Sequence, residues 1–185
     1  MYNIIALVGE AGSGKDFLLR QLLLENNDLH KIVHSTTRPK RQGEKDGVHY
    51  HYYDVSTFLS IAKSGLMSEW RCFNGWYYGT EDSVLEPAPA VNVGVFSPGA
   101  VRDLMLDCEY CVKVYRICAS DKNRLLRQID REDDPNINEI VRRFNSDSED
   151  FKRLGFSYQS LSNNTMEELR QSLDTIQTQV PTLFG

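Results

Sequence analysis

The stretch that decides the fold is residues 4–16, which read Ile4-Ile5-Ala6-Leu7-Val8-Gly9-Glu10-Ala11-Gly12-Ser13-Gly14-Lys15-Asp16. An uninterrupted apolar run is typical of a strand in a parallel sheet that is covered on both faces. The glycines that follow allow positive φ angles, so that successive backbone N–H groups can point into one concavity at the start of a helix. Because the helix dipole also favours an anion there, the pattern predicts a phosphate-binding loop.

The predicted loop ends on two side chains with different expected roles. Lys15 supplies a mobile ammonium for the β- and γ-phosphates of a nucleotide. Asp16 stands where a serine or threonine hydroxyl usually binds Mg²⁺. It is therefore a candidate metal ligand, directly or through water, but an acidic residue in a first helical turn can also serve only to complement the helix dipole. The sequence leaves both alternatives open.

Composition indicates one soluble domain. The chain has 185 residues, 41% of them hydrophobic, and a formal net charge of −5, which argues against a general binder of nucleic acid or membrane surfaces. No apolar run approaches the roughly 18 residues of a membrane span. The four cysteines, predicted to be buried free thiols, fit a cytoplasmic protein; they are Cys72, Cys108, Cys111 and Cys118.

Strand-like and helix-like segments alternate along most of the chain, which predicts βαβ units and a mainly parallel sheet flanked by helices. Strands are expected at 4–8, 31–36, 90–96, 111–117 and 156–161, and helices at 15–25, 98–107, 121–131, 138–154 and 166–180. Residues 37–80 depart from this alternation. They hold a helix over 55–63 and short aromatic strands, one over 48–53 and two that form a hairpin turning at Asn74-Gly75. We expect them to form a small antiparallel insert above the carboxyl ends of the parallel strands.

A second group of candidate binding residues lies at the start of this insert. Residues 35–50 read Ser-Thr-Thr-Arg-Pro-Lys-Arg-Gln-Gly-Glu-Lys-Asp-Gly-Val-His-Tyr. The guanidinium groups of Arg38 and Arg41, with the phenol of Tyr50, suit bidentate capture of a phosphate. The alternative is an ordinary solvated charged loop.

This block resembles the guanylate kinase family, whose pattern runs S-x-T-T-R-x-P-R-x-G-E and then G-x-x-Y. Residues 69–80 are similar to a second family pattern, E-W-x-x-F-x-G-x-Y-Y-G-T; they read Glu69-Trp70-Arg71-Cys72-Phe73-Asn74-Gly75-Trp76-Tyr77-Tyr78-Gly79-Thr80. Both blocks follow the phosphate loop at the family's separation. The resemblance covers about residues 4–165 and weakens after residue 90.

The resemblance implies a role for each matching residue. An acceptor monophosphate would be held by Arg38, Arg41, Tyr50 and Tyr78, with Glu44 bracing the arginines. The purine would be read by Glu69 and Thr80, with His34 and Ser35 beside it. ATP would be bound by the loop residues Gly9, Glu10, Ala11, Gly12, Ser13, Gly14, Lys15 and Asp16, together with Arg127 and Asn163. Lys15, Arg38, Arg41, Arg131 and Arg143 would stabilise the transferring phosphoryl group.

Two departures from the family pattern concern the base and the metal. His34 replaces the first serine of the family block. Gly94 and Phe96 replace both acidic residues of the family's D-x-D-x-x-G strand end. In the family that serine and the second aspartate help to recognise guanine, and the first aspartate lies near the phosphates and metal. We therefore hypothesise that Asp16 supplies the carboxylate that the family has at the position of Gly94.

The resemblance implies an α/β fold of the P-loop NTPase type in one domain. Its core would be residues 1–36 and 81–185, with a helical lid at about 127–150 and a monophosphate-binding insert at about 37–80. The implied activity is transfer of the ATP γ-phosphoryl to GMP or dGMP with Mg²⁺, which requires neither nucleic acid nor a membrane. Two alternatives remain at this point: a deoxynucleoside monophosphate kinase with altered base choice, and a non-catalytic binding module.

Overall fold

A computed structural model describes residues 1–41, 43–131 and 135–184 of the chain. The helices are α1 Lys15–Glu25, α2 Val55–Lys63, α3 Pro98–Met105, α4 Asp121–Ile129, α5 Ile137–Asp150 and α6 Met166–Gln179. The strands are β1 Tyr2–Val8, β2 Leu29–Lys31, β3 Ser35–Thr36, β4 His51–Tyr52, β5 Met67–Phe73, β6 Trp76–Glu81, β7 Val91–Val95, β8 Tyr110–Cys118 and β9 Gln159–Ser162. Short 3₁₀ turns lie at Asp82–Val84 and Val180–Thr182.

The central sheet has the strand order β2-β7-β1-β8-β9, and all of its pairings are parallel. Side chains of β1 alternate between two hydrophobic clusters because successive strand residues face opposite sides of a sheet. Ile5 and Leu7 pack with α1 and α6, whereas Ile4 and Ala6 pack with α3 on the other face. Coverage of both faces explains why β1 is apolar throughout, and it confirms the predicted α/β fold.

A second sheet of four strands, in the order β4-β3-β6-β5, forms the insert. Its hairpin turns at Asn74 and Gly75, whose φ angles are 52° and 78°. Two successive positive φ angles match the twist of the flanking strands, as the sequence predicted for this dipeptide. The sheet is mixed rather than wholly antiparallel, because β3 and β4 pair in parallel.

The predicted single strand over 31–36 is wrong. Residues 29–31 form β2 in the central sheet, and Ser35–Thr36 form β3 in the second sheet. Ile32 still donates a backbone hydrogen bond to Val93 at 2.9 Å and is buried, so the chain leaves the first sheet only after this residue. An extended run does not reveal which partner strand each of its residues will find.

Two further expectations need correction. The predicted strand over 48–53 is reduced to His51–Tyr52. The cysteines are free but not buried, since Cys72, Cys108 and Cys111 are exposed and Cys118 is partly exposed. None of the helices in the described ranges is both long enough and apolar enough to cross a membrane. The division into core, lid and insert stays a prediction, and residues 132–134 of the proposed lid lie outside the described residues.

Candidate active site

The loop between β1 and α1 has the backbone shape that its glycines predicted. Gly12 and Gly14 have φ angles of 78° and 89°. A Cβ at Gly12 would lie 2.3 Å from the carbonyl oxygen of Arg124, and a Cβ at Gly14 would lie 2.2 Å from Nδ2 of Asn163. Both positions therefore exclude larger residues by backbone conformation and by space.

Side chains from α4 and the end of β9 hold this loop from behind. Nη1 of Arg127 donates to the carbonyl oxygens of Gly12 and Ser13, each at 3.3 Å, and Nδ2 of Asn163 donates to Ser13 at 2.8 Å. Nε of Arg124, a nearly buried residue, donates to the carbonyl oxygen of Ala11 at 3.2 Å. These bonds satisfy the loop carbonyls from outside, and of the loop N–H groups that of Ser13 donates to the carbonyl oxygen of Glu10 at 3.1 Å.

One of those N–H groups is bonded to an acidic side chain of α5. The N–H of Ala11 donates to Oδ2 of Asp147, with 2.5 Å between nitrogen and oxygen. Nη2 of Arg124 lies 3.7 Å from the same oxygen. Burial raises the pKa of Asp147, while the Ala11 N–H and the charges of Lys15 and Arg124 oppose that rise. A carboxylate thus lies against the phosphate loop.

The insert presents a braced arginine opposite the loop. Nη2 of Arg38 donates to both carboxylate oxygens of Glu44 at 2.9 Å, and the backbone N–H of Arg41 donates to Oε2 at 2.8 Å. The Tyr52 hydroxyl donates to the same oxygen at 2.7 Å. Although partial burial opposes it, these hydrogen bonds lower the pKa of Glu44 to about 2. Glu44 is therefore ionised at neutral pH and orients Arg38.

Four arginines converge near this brace. The pKa of Arg41 is lowered, first by burial and then by the positive charges of Arg38, Arg131 and Arg143. Like charges gathered around one partly buried guanidinium indicate a site suited to a polyanion. Arg143 is itself oriented by Glu139, to which its Nε donates at 2.7 Å.

Two phenol rings complete the phosphate-facing wall. The Tyr50 and Tyr78 rings are 6.3 Å apart, and the Arg38 guanidinium lies 5.6 Å from the centre of the Tyr50 ring. Burial and the nearby charge of Asp16 raise the pKa of Tyr50 to about 12. Its hydroxyl therefore remains protonated at neutral pH and is a hydrogen-bond donor.

A buried polar chain forms the remaining wall. The Thr80 hydroxyl donates to Oε1 of Glu69 at 2.7 Å, and Nδ1 of His34 lies 2.9 Å from the same hydroxyl oxygen. Burial raises the pKa of Glu69 to about 7, and burial together with the charge of Lys31 lowers the pKa of His34 to about 4. The His34 ring also meets the Phe96 ring edge to face, at 4.8 Å between centroids. His34 is thus neutral at pH 7.

All of these walls face one cleft of about 930 Å³. Its lining includes Gly9, Ala11, Lys15, His34, Arg38, Arg41, Tyr50, Glu69, Tyr78, Phe96, Arg143 and Asp147. The volume is in the range of pockets that bind nucleotide-sized ligands.

The whole of this arrangement falls within one match to a family model. That model, described as guanylate kinase, covers residues 1–179. The chain belongs to the guanylate kinase family.

Individual members of this family match shorter stretches. The guanylate kinase of Sphingopyxis alaskensis is 36% identical over 107 residues, which cover 58% of this chain and 44% of the relative. The guanylate kinase of Rhodospirillum rubrum is 40% identical over 88 residues, which cover 47% of this chain and 40% of the relative. The matched chain thus spans less than half the length of these curated relatives.

A crystal structure supports the fold. Guanylate kinase from Anaplasma phagocytophilum has a TM-score of 0.68 and 17% identity, covering 97% of this chain and 85% of that chain. At this level of identity the similarity concerns the fold alone.

The structure does not bring every predicted site residue to the cleft. Arg127 and Asn163 contact the outer side of the phosphate loop, so their contact with ATP stays a prediction. Ser35 is buried and donates to Oε1 of Glu81 at 2.5 Å. Asp16 is exposed on α1.

Sequence reasoning missed three groups that this family member places at or beside the cleft: Tyr52, Asp147 and Arg71. Tyr52 could have been found, because it lies two residues from Tyr50 on the same face of an extended segment. Asp147 and Arg71 carried no local signal. Each depends on a contact with an element distant in the chain.

Proposed function

We propose that this protein is a nucleoside monophosphate kinase that transfers the γ-phosphoryl of ATP to GMP or dGMP, giving ADP and the diphosphate. One observation carries the proposal: a single cleft has a phosphate loop on one wall and a braced arginine cluster on the other. Two anion sites facing each other suit a reaction in which both substrates bring phosphates. Family membership, and relatives named guanylate kinase, support the same assignment.

The donor phosphates would bind at the phosphate loop. Its N–H groups, the N-terminus of α1 and the Lys15 ammonium together favour the negative charge of the β- and γ-phosphates. Nζ of Lys15 now lies 3.4 Å from the carbonyl oxygen of Glu10, a contact long enough to give way to a phosphate oxygen.

The acceptor phosphate would bind to Arg38, Arg41, Tyr50 and Tyr78. Ionised Glu44 fixes the Arg38 fork before the substrate arrives, which reduces the entropy lost on binding. The phenols donate hydrogen bonds without adding charge. Each of the four lines the cleft.

The base would be selected by Glu69 with Thr80. An ionised carboxylate can accept hydrogen bonds from both the ring N–H and the exocyclic amine of guanine, whereas adenine meets it with a lone pair. Ser35 is buried and bonded to Glu81, so its expected contact with the base has less support than that of cleft-lining His34.

Transfer itself requires positioning and charge neutralisation rather than a covalent intermediate. Lys15, Arg41, Arg131 and Arg143 supply the positive charge that would stabilise the transferring group. Arg142 of α5 donates to Oδ1 of Asn74 in the insert hairpin at 2.9 Å, so the lid helix and the insert already meet. This closure would exclude water from the reacting phosphates.

Mg²⁺ fits the residues that are present. Within the described part of the chain, no three His, Cys, Asp or Glu side chains form a metal-binding group. Mg²⁺ keeps several waters and binds phosphates with one or two carboxylates, which matches an exposed carboxylate at Asp16 directly after the loop. When bound, it would neutralise charge on the β- and γ-phosphates. Asp16 would hold it directly or through water.

The alternatives have less support. A non-catalytic module of this fold would not need the loop glycines and Lys15, which are in place. Altered base choice has the replacements at His34 and Phe96 in its favour, but Glu69 lines the cleft and remains paired with the buried Thr80 hydroxyl behind it. A cytoplasmic location stays an expectation from the sequence.

A panel of nucleoside monophosphates tests the proposal. ADP release with ATP and Mg²⁺ is measured for GMP, dGMP, AMP, dCMP and dTMP. We expect GMP or dGMP to exceed AMP in kcat/KM by at least ~100-fold. Glu69→Gln should reduce that ratio mainly through the guanine substrate. Equal turnover of dTMP or dCMP would reject the guanine assignment, and absence of any monophosphate-dependent ADP release would reject the kinase.

A further inference from the structure

Arg71 joins the base-facing wall of the cleft to the core. It lies two residues after Glu69 on β5, so both side chains point to the same face of the strand. Its Nη2 donates to Oδ2 of Asp103 on α3 at 2.6 Å, and its Nε lies 3.7 Å from Oε2 of Glu69. One guanidinium therefore bridges a nearly buried carboxylate of the insert and an exposed carboxylate of the core.

The core leaves a specific space for this guanidinium. A Cβ at Gly99, in the first turn of α3, would lie 1.6 Å from Nη1 of Arg71. Any larger residue at that position would displace the side chain. The planar fork spans both partners, which a lysine ammonium cannot do at the same time.

We infer that Arg71 is a positioning residue that fixes Glu69 in the base-facing wall and keeps it ionised for recognition of the base. The inference rests on the proposed function, since it assumes that Glu69 reads guanine. Thr80 bonds Oε1, so Oε2 is the oxygen that Arg71 faces. Arg71 thus acts through Glu69.

The surroundings of Glu69 explain why its ionised form needs a nearby positive charge. Burial raises the pKa of Glu69 to about 7, the Thr80 hydrogen bond and the Arg71 charge oppose the rise, and the Asp103 charge adds to it. His34 reaches the carboxylate only through the Thr80 hydroxyl and is neutral at pH 7. Without Arg71, Glu69 would be protonated over more of the neutral range and would lose one of its two acceptor oxygens.

Two variants that break the same ion pair separate this role from a merely structural one. Arg71→Met removes the charge that favours ionised Glu69. The acid limb of the pH profile, along which kcat/KM for GMP rises with pH, should therefore move to higher pH by about one unit. Asp103→Asn removes the charge that opposes ionisation, so the limb should move to lower pH. A purely mechanical tie between β5 and α3 would give shifts in the same direction, or none.

Arg71→Lys and Gly99→Ala complete the set. Lysine keeps the charge but cannot reach both partners at once, so it should move the limb in the same direction as Arg71→Met but by less. Gly99→Ala displaces the guanidinium without changing any charge and should move the limb in the same direction as Arg71→Met. A carbon-13 NMR titration of Glu69 in the free protein reports the same shifts without turnover.

The two proposals fail separately. Absence of GMP phosphorylation by the wild type rejects the proposed function. If the wild type phosphorylates GMP but Arg71→Met and Asp103→Asn shift the limb in one direction or not at all, the role of Arg71 is overturned and the kinase stands. Opposite shifts in both the rate profile and the NMR titration support the inference.

Discussion

Asp147 of α5 and Ala11 of the loop between β1 and α1 are joined by a hydrogen bond of 2.5 Å from the Ala11 N–H to Oδ2 of Asp147. They are 136 residues apart in the chain. The carboxylate occupies a loop N–H that the proposed function would give to a phosphate oxygen, and the charges of Lys15 and Arg124 lie around it. If ATP binds at this loop as proposed, its triphosphate would have to displace the Asp147 carboxylate.

Asp147→Asn should therefore strengthen ATP binding. The substitution removes a negative charge near the incoming phosphates and leaves only a weaker, neutral acceptor for the Ala11 N–H, so we expect a Kd about tenfold lower. Calorimetry with ATP measures the change. Glu149→Gln is the matched control, because Glu149 is an exposed carboxylate on the same helix, paired with Lys152. Weaker binding by Asp147→Asn would mean that Asp147 assists the nucleotide, for example through its metal ion.

Lys15→Ala should abolish most turnover while leaving the fold intact. The side chain lines the cleft at the start of α1 and is the loop's own cation, so the transferring phosphoryl group would lose its nearest positive charge. A loss of about two to three orders of magnitude in kcat is expected. Steady-state rates with a circular dichroism melt measure both properties. Lys122→Ala, at an exposed position of α4, should behave as wild type, and a folded Lys15→Ala protein of normal activity would contradict the site.

Arg41→Lys should weaken the monophosphate and spare ATP. Lysine keeps the charge but loses the fork that binds two phosphate oxygens, which should cost about 1.5–3 kcal/mol of GMP binding. Calorimetry with each nucleotide separately distinguishes the two walls of the cleft. Arg170→Lys, at an exposed position of α6, is the control. Equal losses of ATP and GMP affinity would reject the division of the cleft into donor and acceptor walls.

Asp16→Ser should alter the dependence of turnover on Mg²⁺. The substitution restores the hydroxyl that usually follows the loop lysine and removes the only candidate carboxylate ligand that the sequence offered. We expect the Mg²⁺ concentration for half-maximal rate to change by several-fold. Asp28→Ser, beyond the end of α1, serves as the control. An unchanged Mg²⁺ titration and unchanged turnover would leave Asp16 as a first-turn acidic residue only.

Local signals predicted the parts of this site that are local in the chain. Gly12, Gly14 and Lys15 encode a loop whose shape depends on its own φ angles, and Asn74-Gly75 encodes a turn in the same way. The ion pair between Glu44 and Arg38 is also short in sequence, since the two partners are six residues apart.

What the sequence could not supply depends on packing between distant elements. Arg71 contacts Asp103 because β5 lies against α3. The sequence of neither segment indicates that the two will pack together. Arg127 and Asn163 matched family positions, but a match fixes residue type and not the direction in which the side chain points. Cys108 precedes β8 and Cys111 lies near its start, and both are exposed. Their exposure likewise depends on which elements pack against that end of the strand.

The hydrogen bond between Arg142 and Asn74 bears on how ligands would enter and leave the cleft. It joins α5 to the tip of the insert hairpin, and both residues line the cleft. Both side chains are solvent-exposed, and such a contact contributes about 1 kcal/mol or less. Under the proposed function, this contact is weak enough to break each time a nucleotide binds or leaves, so product release would not wait on a rare opening.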